Sequence, residues 1–180
     1  MKRLSVMALF MVSLFFISCG NKRVEGFIKE INGENYVVQT EDGNILTVKL
    51  EGAENLGINK PQICDGVTLD MKGSKVDAYW LNPLAKGWVV PLSGTDKYFG
   101  IKFSNGNEAK PLGKTLAYEY YERGNGYITV VSVVPVNNKY QKVFQKWDII
   151  SITRDVLKVN IDGKPQTFKA WDKKTMKINN

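Results

Sequence analysis

The sequence predicts an all-β protein of short antiparallel strands, and three observations favour that class. Runs rich in β-branched and aromatic residues alternate between apolar and polar positions, which is typical of strands with one buried face. No segment keeps an apolar period of 3.6 residues over three turns, so long helices are not expected. Pairs of Asn or Asp with Gly, which accept the positive φ angles of tight hairpin turns, recur along the chain. These pairs are Asn32-Gly33, Asp42-Gly43, Asp65-Gly66, Asn105-Gly106, Asn125-Gly126 and Asp162-Gly163.

The first element is a predicted secretory signal peptide, residues 1–18. Met1-Lys2-Arg3 is basic, the following stretch from Leu4 to Ile17 is almost entirely apolar, and Ser18-Cys19 supplies small residues at its end. This sequence of a basic start, an apolar stretch and a small-residue boundary is typical of cleaved export signals. A transmembrane anchor is the alternative, but a bilayer span needs about 20 apolar residues and this stretch is shorter.

The first half of the mature chain is predicted to hold five strands. Three of them form a meander over Val24–Ile31, Tyr36–Thr40 and Ile45–Leu50. The polar, glycine-rich residues 52–64 predict a loop or a short helix. Val67–Met71 resumes a strand, and Val76–Tyr79 is expected to pair with it. Proline cannot donate to a sheet ladder, so a domain boundary is expected at the proline of Leu81-Asn82-Pro83-Leu84.

The second half is predicted to hold seven strands. A helix over residues 115–123 is long enough to form, but its three tyrosines, Tyr118, Tyr120 and Tyr121, favour a strand. The longest strand, residues 141–153, is expected to bend or split near Trp147-Asp148. The strands are Gly87–Val90, Tyr98–Phe103, Thr115–Glu122, Tyr127–Val134, Gln141–Thr153, Val156–Ile161 and Gln166–Ala170.

Alternation along these strands predicts which side chains share a face. Phe99, Ile101 and Phe103 fall on one face of their strand, and Leu116, Tyr118 and Tyr120 fall on one face of theirs. One apolar face per strand suits a sheet that curls into a closed barrel, which also removes exposed strand edges.

The mature chain is mildly basic. Loss of residues 1–18 removes Lys2 and Arg3 and leaves 23 basic against 18 acidic residues, a net charge of +5. The lysines are scattered, and the mature arginines are only Arg23, Arg123 and Arg154. Nucleic-acid-binding domains gather Lys and Arg on one face, so no nucleic-acid partner is predicted. A solvated surface with mild affinity for anionic surfaces is the better interpretation.

The residue types that common catalytic and metal sites need are missing. The chain has no histidine, which excludes Ser-His-Asp triads, Cys-His pairs and histidine-ligated zinc. Asp65 is expected to raise the pKa of the lone thiol of Cys64, which favours a structural role for that residue. The carboxylate pairs Glu119/Glu122 and Asp148/Asp155 could in principle cleave glycosides. Glu119 falls on the face opposite Tyr118 and Tyr120, so it is better explained as an exposed strand residue. Neither a catalytic residue nor a cofactor is predicted.

The signal ends in a recognisable motif. Phe16-Ile17-Ser18-Cys19 resembles the lipobox of Bacteroidetes-type bacterial lipoproteins. The resemblance implies that Cys19 becomes the first mature residue, carries palmitate-type acyl chains and is followed by a tether over residues 19–23. Each buried methylene contributes about 0.8 kcal/mol, so several chains anchor a protein permanently in a membrane. Gly20 and the absence of a following acidic run imply the outer membrane and its periplasmic face. With Cys19 acylated, Cys64 has no intrachain disulfide partner.

Two further resemblances concern the domains. Trp88-Val89-Val90-Pro91, Phe99 to Phe103, Thr115-Leu116-Ala117-Tyr118 and Ile149 to Val159 resemble the lipocalin-like domain of Bacteroidetes lipoproteins over about residues 84–171. This resemblance implies an eight-stranded up-and-down barrel, placed at 84–175. Residues 24–80 resemble the small OB-like barrels found beside such domains, through Val24-Glu25-Gly26, the Asp42-Gly43 hairpin and Asp65 to Leu69.

A lipocalin-like barrel implies candidate ligand contacts inside it. Eight strands lie at the size threshold where side chains either fill the interior or leave room for one small ligand, and both outcomes stay open. Trp88 is expected to act as a structural plug at the closed end of the barrel. The candidates to line a calyx are Phe99, Phe103, Tyr118, Tyr120 and Trp147.

These observations favour a membrane-anchored, non-catalytic binding module that holds a small apolar ligand in the barrel. The alternative is a structural or interaction lipoprotein with a filled barrel, which docks an envelope protein or glycan, senses stress or inhibits an enzyme. An enzyme is the least favoured class, because histidine, the most common general base, is missing. An open cavity above about 300 Å³ with polar edges would favour a small molecule.

Overall fold

The computed structural model describes residues 21–57, 60–114, 117–137 and 139–179. The described residues form fifteen strands in two sheets, joined by turns and loops. This confirms the all-β class. Within the described residues, no helix is long and apolar enough to cross a membrane.

The N-terminal sheet has six strands in the order β3-β2-β1-β5-β6-β4. The long strand β1 pairs antiparallel with both β2 and β5, while β4 runs parallel to β6. One face of the sheet encloses a core that includes Val24, Val38, Leu69 and Tyr79. The OB-like character of this sheet stays a prediction. The strands are β1 (Asn21–Asn32), β2 (Asn35–Thr40), β3 (Ile45–Lys49), β4 (Glu54–Asn55), β5 (Gly66–Lys72) and β6 (Lys75–Asn82).

Strand β1 starts earlier than the sequence predicted. Asn21, Lys22 and Arg23 were expected in a tether, but they pair with Lys72, Met71 and Asp70 of β5. The expected tether is therefore wrong from residue 21 onwards, because β5 offers backbone partners that extend the strand to that point. Cys19 and the predicted signal peptide lie outside the described residues.

The second sheet forms a nearly closed, eight-stranded up-and-down barrel, as expected. Each strand from β7 to β9 and from β10 to β14 pairs antiparallel with the next, and β14 returns to pair with β7 through Lys169–Val89 and Ala170–Trp88. A bridge between Glu108 and Tyr120 joins the β9 and β10 sides. The strands are β7 (Gly87–Pro91), β8 (Lys97–Phe103), β9 (Ala109–Leu112), β10 (Ala117–Gly124), β11 (Tyr127–Val136), β12 (Lys139–Ile152), β13 (Val156–Ile161) and β14 (Lys164–Ala170).

Two strands of this sheet were not predicted. Strand β9 contains Pro111, which lacks a backbone N–H and weakens any strand prediction. It pairs with β8 along its length. The last strand, β15 (Lys177–Ile178), runs parallel to the first residues of β8, where it pairs with Lys97 and Tyr98. The expected irregularity of β12 falls between Ile149 and Ser151, slightly later than Trp147-Asp148.

The core of the barrel extends into the N-terminal domain. The cluster of buried side chains inside the barrel also contains Phe27 of β1 and Cys64 of the segment before β5. Strand β6 ends at Asn82 and β7 begins at Gly87, on either side of Pro83, so the link between the domains is short. The N-terminal domain thus packs directly on one end of the barrel.

Candidate functional site

Two of the predicted calyx residues belong to the packed interior of the barrel. Phe103 is fully buried and Trp147 nearly so. Their ring centroids lie 6.1 Å apart, and Trp147 stacks on Phe168 at 5.3 Å. Trp147 Nε1 donates to Gln145 Oε1 over 2.9 Å. These rings pack against other side chains of the barrel core, and a ligand contact by either of them stays a prediction.

A bulge changes the face of Tyr120. Tyr118 pairs with Ser132 but Tyr120 pairs with Val131, which leaves Glu119 as an extra residue in β10. Such a bulge resets the alternation of side chains. Tyr120 consequently lies outside the barrel under Lys142, whose Nζ is 5.2 Å from the ring centroid. The expectation that Tyr118 and Tyr120 share the inner face is therefore wrong.

Tyr121 takes the interior position that was expected for Tyr120. It is fully buried, its ring lies 4.6 Å from that of Phe103, and its hydroxyl donates to Ser104 O over 3.1 Å. Tyr118 packs partly buried against the interior cluster. Phe99 is half-buried on the face it shares with Phe103. A ligand contact by Phe99 or Tyr118 stays a prediction.

Trp88 lies at the end of the barrel that faces the N-terminal domain. It is fully buried, and its Nε1 donates to Leu84 O over 2.9 Å. Lys86 places its Nζ 4.6 Å from the ring centroid. The indole belongs to the buried cluster of the barrel, and its role as a plug stays a prediction.

A buried ion pair fixes the domain junction. Arg123 Nη1 lies 2.9 Å from Asp65 Oδ1, with side-chain exposures of 12% and 4%. Asp65 Oδ1 also accepts from Leu84 N over 3.0 Å, and Arg123 Nη1 donates to Ile63 O over 2.5 Å. Burial acts to lower the pKa of Arg123, but the Asp65 carboxylate outweighs it and the pKa is raised. Arg123 therefore stays charged within the junction.

Cys64 is sealed into the same junction. Its thiol is fully buried, and Sγ lies 3.3 Å from the carbonyl oxygens of Gly124 and Tyr127. Burial, assisted by Asp65, raises the pKa of this thiol to about 12. The thiolate is the reactive form of cysteine, so this geometry favours a structural role, as the sequence predicted.

One face of the N-terminal sheet meets the barrel and then diverges from it. Three rows of paired residues cross strands β1, β5 and β6 on this face. The row nearest the barrel is in contact: Phe27 enters the barrel core, and a Cβ added at Gly66 would lie 2.3 Å from Ile152 O. The rows are Phe27–Gly66–Asn82, Glu25–Thr68–Trp80 and Arg23–Asp70–Ala78.

The divergence opens a cleft of about 340 Å³ between the two domains. Its floor is the middle row of the face together with Arg23, and its other wall is the turn between β12 and β13. Thr153 holds that turn, because its Oγ1 accepts from Val156 N over 3.1 Å. The lining residues are Arg23, Glu25, Thr68, Trp80, Asn82, Thr153, Arg154 and Asp155.

The cleft offers charges of both signs beside one large aromatic ring. Arg23 Nε donates to Asp70 Oδ1 over 3.0 Å, and its Cζ lies 5.0 Å from the Trp80 ring centroid. The hydrogen bond to Asp70 raises the pKa of Arg23. Two arginines face two carboxylates, Glu25 and Asp155, so the lining is neutral overall. An aromatic surface with several hydrogen-bonding groups suits a small polar ligand that has one apolar face.

Sequence reasoning did not single out the cleft. Its signal is Trp80, which occupies the polar face of a strand whose neighbours Tyr79 and Leu81 pack toward the N-terminal core. A large aromatic residue on a polar face is an unusual placement. The described residues contain no group of acids and cysteines that is arranged to hold a metal ion.

Comparisons with known proteins add little beyond this geometry. No family model matches the chain, and no curated protein matches it. The crystal structure of a lipocalin-like protein from Bacteroides thetaiotaomicron is similar over 49% of this chain and 97% of that chain, with 21% identity and a TM-score of 0.46. This likeness is too weak to carry an argument, and the barrel assignment rests on the strand pairing described above.

Proposed function

We propose that this protein is a lipid-anchored envelope lipoprotein that acts as a non-catalytic binding module, and that its ligand occupies the cleft between the two domains. The observation that carries the proposal is the cleft of about 340 Å³ beside Trp80. Pockets for small molecules commonly fall between about 300 and 1,000 Å³ and often lie at domain interfaces.

The barrel interior supports the proposal by contrast. Three of its aromatic rings, those of Phe103, Tyr121 and Trp147, pack against one another and are buried to within 2%. A ligand at this level would have to displace them, and removing a buried aromatic side chain from a core costs about 3–5 kcal/mol. The cleft needs no such displacement, because its lining residues are already half-buried or exposed.

The absence of histidine supports a non-catalytic role. The buried thiol of Cys64, with its pKa raised to about 12, is unsuited to act as a nucleophile. The carboxylates of the cleft, Glu25 and Asp155, are both exposed. We therefore assign them to hydrogen bonding with a ligand.

Ligand retention tests the cleft against the barrel. The acylated protein is purified from membranes in a mild detergent, and native mass spectrometry measures any co-purifying small molecule. Trp80 lies outside both buried clusters, so Trp80→Ala is expected to fold and to lose retention about tenfold or more. Phe99→Ala is the matched control in the barrel and is expected to retain the ligand.

The other outcomes of this experiment would place the ligand in the barrel or show that no small molecule is bound. Loss in Phe99→Ala with retention in Trp80→Ala would move the ligand into the barrel. Absence of any retained molecule in the wild type would contradict a small-molecule function for the cleft.

Membrane anchoring is proposed from the lipobox resemblance, with the outer membrane and its periplasmic face as the location. Mass spectrometry of the N-terminal peptide tests it directly. The expected peptide begins at Cys19 and carries the added mass of acyl chains. An intact segment 1–18 with an unmodified Cys19 would contradict this part of the proposal.

A specific observation favours the alternative, an interaction lipoprotein. The outer face of β12 exposes Tyr140 by 82% and Phe144 by 63%. Exposed apolar surface of this kind often marks a contact site for another protein. Chemical cross-linking in intact envelopes would yield a defined protein adduct that is missing with Tyr140→Ser/Phe144→Ser. Identical cross-linking of both chains would count against this alternative.

A further inference from the structure

The first half of strand β12 has one open edge. Residues 139–146 pair with β11 on one side, whereas the pairing of β12 with β13 on the other side starts only at Trp147. No other strand among the described residues pairs with this half of β12. Residues 139–146 therefore extend past the end of β13, and their free side is called the open edge below. An unpaired strand edge is a template for pairing with another chain.

The backbone groups at the open edge belong to every second residue. Ile149 N donates to Gly126 O over 2.9 Å, on the β11 side of β12, and the register between β11 and β12 is regular from Asp148 to Lys139. Successive residues of an antiparallel strand direct their N–H and C=O groups to alternate sides. The odd-numbered residues thus bond to β11, and the even-numbered ones direct N–H and C=O to the open edge. The even-numbered residues are Tyr140, Lys142, Phe144 and Lys146.

The side chains of these four residues leave the open edge apolar. Tyr140 is 82% exposed and Phe144 is 63% exposed. Lys142 leans the other way, across β11, because its Nζ lies 2.8 Å from Glu119 Oε2 of β10. Lys146 also leans over β11, with Nζ 4.7 Å from the centroid of a tyrosine ring in that strand. Lysines commonly protect edge strands from pairing, but these two are directed away from the open edge.

A second copy of the chain fits the open edge in one two-fold register. An axis at Lys142 pairs residues 139–145 of each copy with the same residues of the other, so that every paired residue lies in the open segment. An axis at Val143 would place the first residue of β12 opposite Trp147, where β13 is already paired. An axis at Gln141 would shorten the paired segment. Two copies related by a two-fold axis present the same surface to each other, so the contact closes as a dimer.

The register centred on Lys142 brings aromatic side chains together. Tyr140 of each copy lies opposite Phe144 of the other, on either side of the axis. Aromatic cross-strand pairs stabilise antiparallel sheets, and like charges that lie opposite each other destabilise them. The two copies of Lys142 do meet at the axis, but each keeps Glu119 of its own chain as a counter-charge. The register therefore covers the two most exposed large hydrophobic side chains of the described residues.

We propose that two copies of this chain pair through the open edge of β12, in an antiparallel two-fold register centred on Lys142, and join their barrels in one continuous sheet. The contact depends neither on a ligand in the cleft nor on the acylation of Cys19. The paired segment is short, so the interface falls below the roughly 1,200 Å² of stable complexes. We expect a dissociation constant on the order of micromolar.

Disulfide trapping of the full chain in mild detergent tests the register. Lys142→Cys places two thiols at the axis, where a hydrogen-bonded pair holds its Cα atoms about 5.5 Å apart, within disulfide range. Lys146→Cys is the matched control on the same edge, because its two thiols would lie about 27 Å apart. Oxidation is expected to yield the covalent dimer at least tenfold faster for Lys142→Cys. The wild type, which contains Cys19 and Cys64, gives the background. Equal rates for the two variants would overturn the proposal.

Proline at the axis tests the hydrogen bonds of the open edge. The N–H of Lys142 is not used by β11, so Lys142→Pro is expected to keep the fold and to block pairing with a second copy. Lys142→Gln removes the same charge but keeps the N–H. Sedimentation at rising protein concentration is expected to show dimers for the wild type and Lys142→Gln, and a monomer at tenfold higher concentration for Lys142→Pro. Equal dimerisation of the two variants would contradict pairing through this edge.

A different protein as the occupant of the open edge gives a distinct result. The wild type would then stay monomeric at every concentration, and chemical cross-linking in envelopes would join residues 139–146 to another protein. That result would overturn the dimer and would support the interaction lipoprotein. Loss of ligand retention in the cleft would leave the dimer unaffected, so the two proposals fail separately.

Discussion

One face of strand β1 lies in two different environments. Phe27 is fully buried in the barrel core, whereas Glu25 and Arg23, on the same face of β1, line an open cleft. Residues two apart in a strand share a face, so this difference is set by where the barrel ends and not by the strand. The apolar side chain joins the domains, and the polar ones remain available for a ligand.

The ion pairs of the two regions differ in the same way. Asp65 and Arg123 at the junction are almost inaccessible to solvent, and the carboxylate also accepts from Leu84 N. Arg23 and Asp70 beside the cleft have side-chain exposures of 60% and 32%. A buried charge that loses its partner is costly, while an exposed one is solvated by water. The junction is therefore expected to control stability and the cleft to control binding.

The largest expected effect is that of Asp65→Ala. The substitution leaves the charge of Arg123 buried without its partner and is expected to lower the free energy of unfolding by about 3–5 kcal/mol. Asp70→Ala is the matched control at the cleft and is expected to leave the urea midpoint unchanged within error. Equal shifts of the urea midpoint for Asp65→Ala and Asp70→Ala would show that the junction and the cleft contribute equally to stability.

Gly66→Ala tests the close contact between the sheet and the barrel. The new Cβ would lie 2.3 Å from Ile152 O, a backbone atom, so the domains must shift apart. Overpacking of this kind costs about 1–3 kcal/mol. Gly57→Ala is the control, because its Cβ would meet Asn55 Oδ1 at an ordinary 3.5 Å. If Gly66→Ala and Gly57→Ala have the same thermal denaturation midpoint, the space between Gly66 and Ile152 O is large enough for a methyl group.

The buried thiol of Cys64 is expected to make the free energy of unfolding depend on pH. Folding raises the pKa of Cys64 from 9.0 to about 12, so above pH 9 the unfolded state loses this proton while the folded state keeps it. The stability that the thiol contributes is complete below pH 9 and falls by about 1.4 kcal/mol per pH unit as the pH rises toward 12. Between pH 8 and pH 10, wild-type protein under reducing conditions should lose more stability than Cys64→Ala. Equal losses of stability in the wild type and in Cys64→Ala would show that the thiol is accessible to water in the folded protein.

The smallest expected effect tests the bulge in β10. Tyr121→Phe removes the hydroxyl that donates to Ser104 O over 3.1 Å and is expected to cost about 1 kcal/mol. Tyr120→Phe removes a hydroxyl from the outer face and is expected to leave stability unchanged. Urea denaturation measures the free energy of unfolding of both variants. A larger decrease for Tyr120→Phe than for Tyr121→Phe would place Tyr120 in the barrel interior, as the alternation predicted.

Much of the fold followed from local sequence signals. Five of the six Asx-Gly pairs lie at hairpin turns, as in Asn125-Gly126 between β10 and β11. Asp65-Gly66 is the exception, because Asp65 is buried in the junction and Gly66 begins β5. Asp65 and Gly66 contact the barrel domain instead. A local sequence pattern contains no information about contacts between domains.

The rest depended on partners that the local sequence does not specify. The bulge at Glu119 arises from the register with β11, so alternation alone assigned Tyr120 to the wrong face. Strand β9 was missed because of Pro111. The cleft exists only because Gly66 and Phe27 dock on the barrel at one particular angle, and this angle is not encoded in any single segment.

A crystal structure of the mature protein, purified from the membranes in which it is made, would show directly whether the cleft holds a ligand. We expect electron density for a small molecule in the cleft, against Trp80 and within hydrogen-bonding distance of Arg154 or Asp155. Density inside the barrel between Phe99 and Tyr118, with the cleft empty, would contradict this expectation.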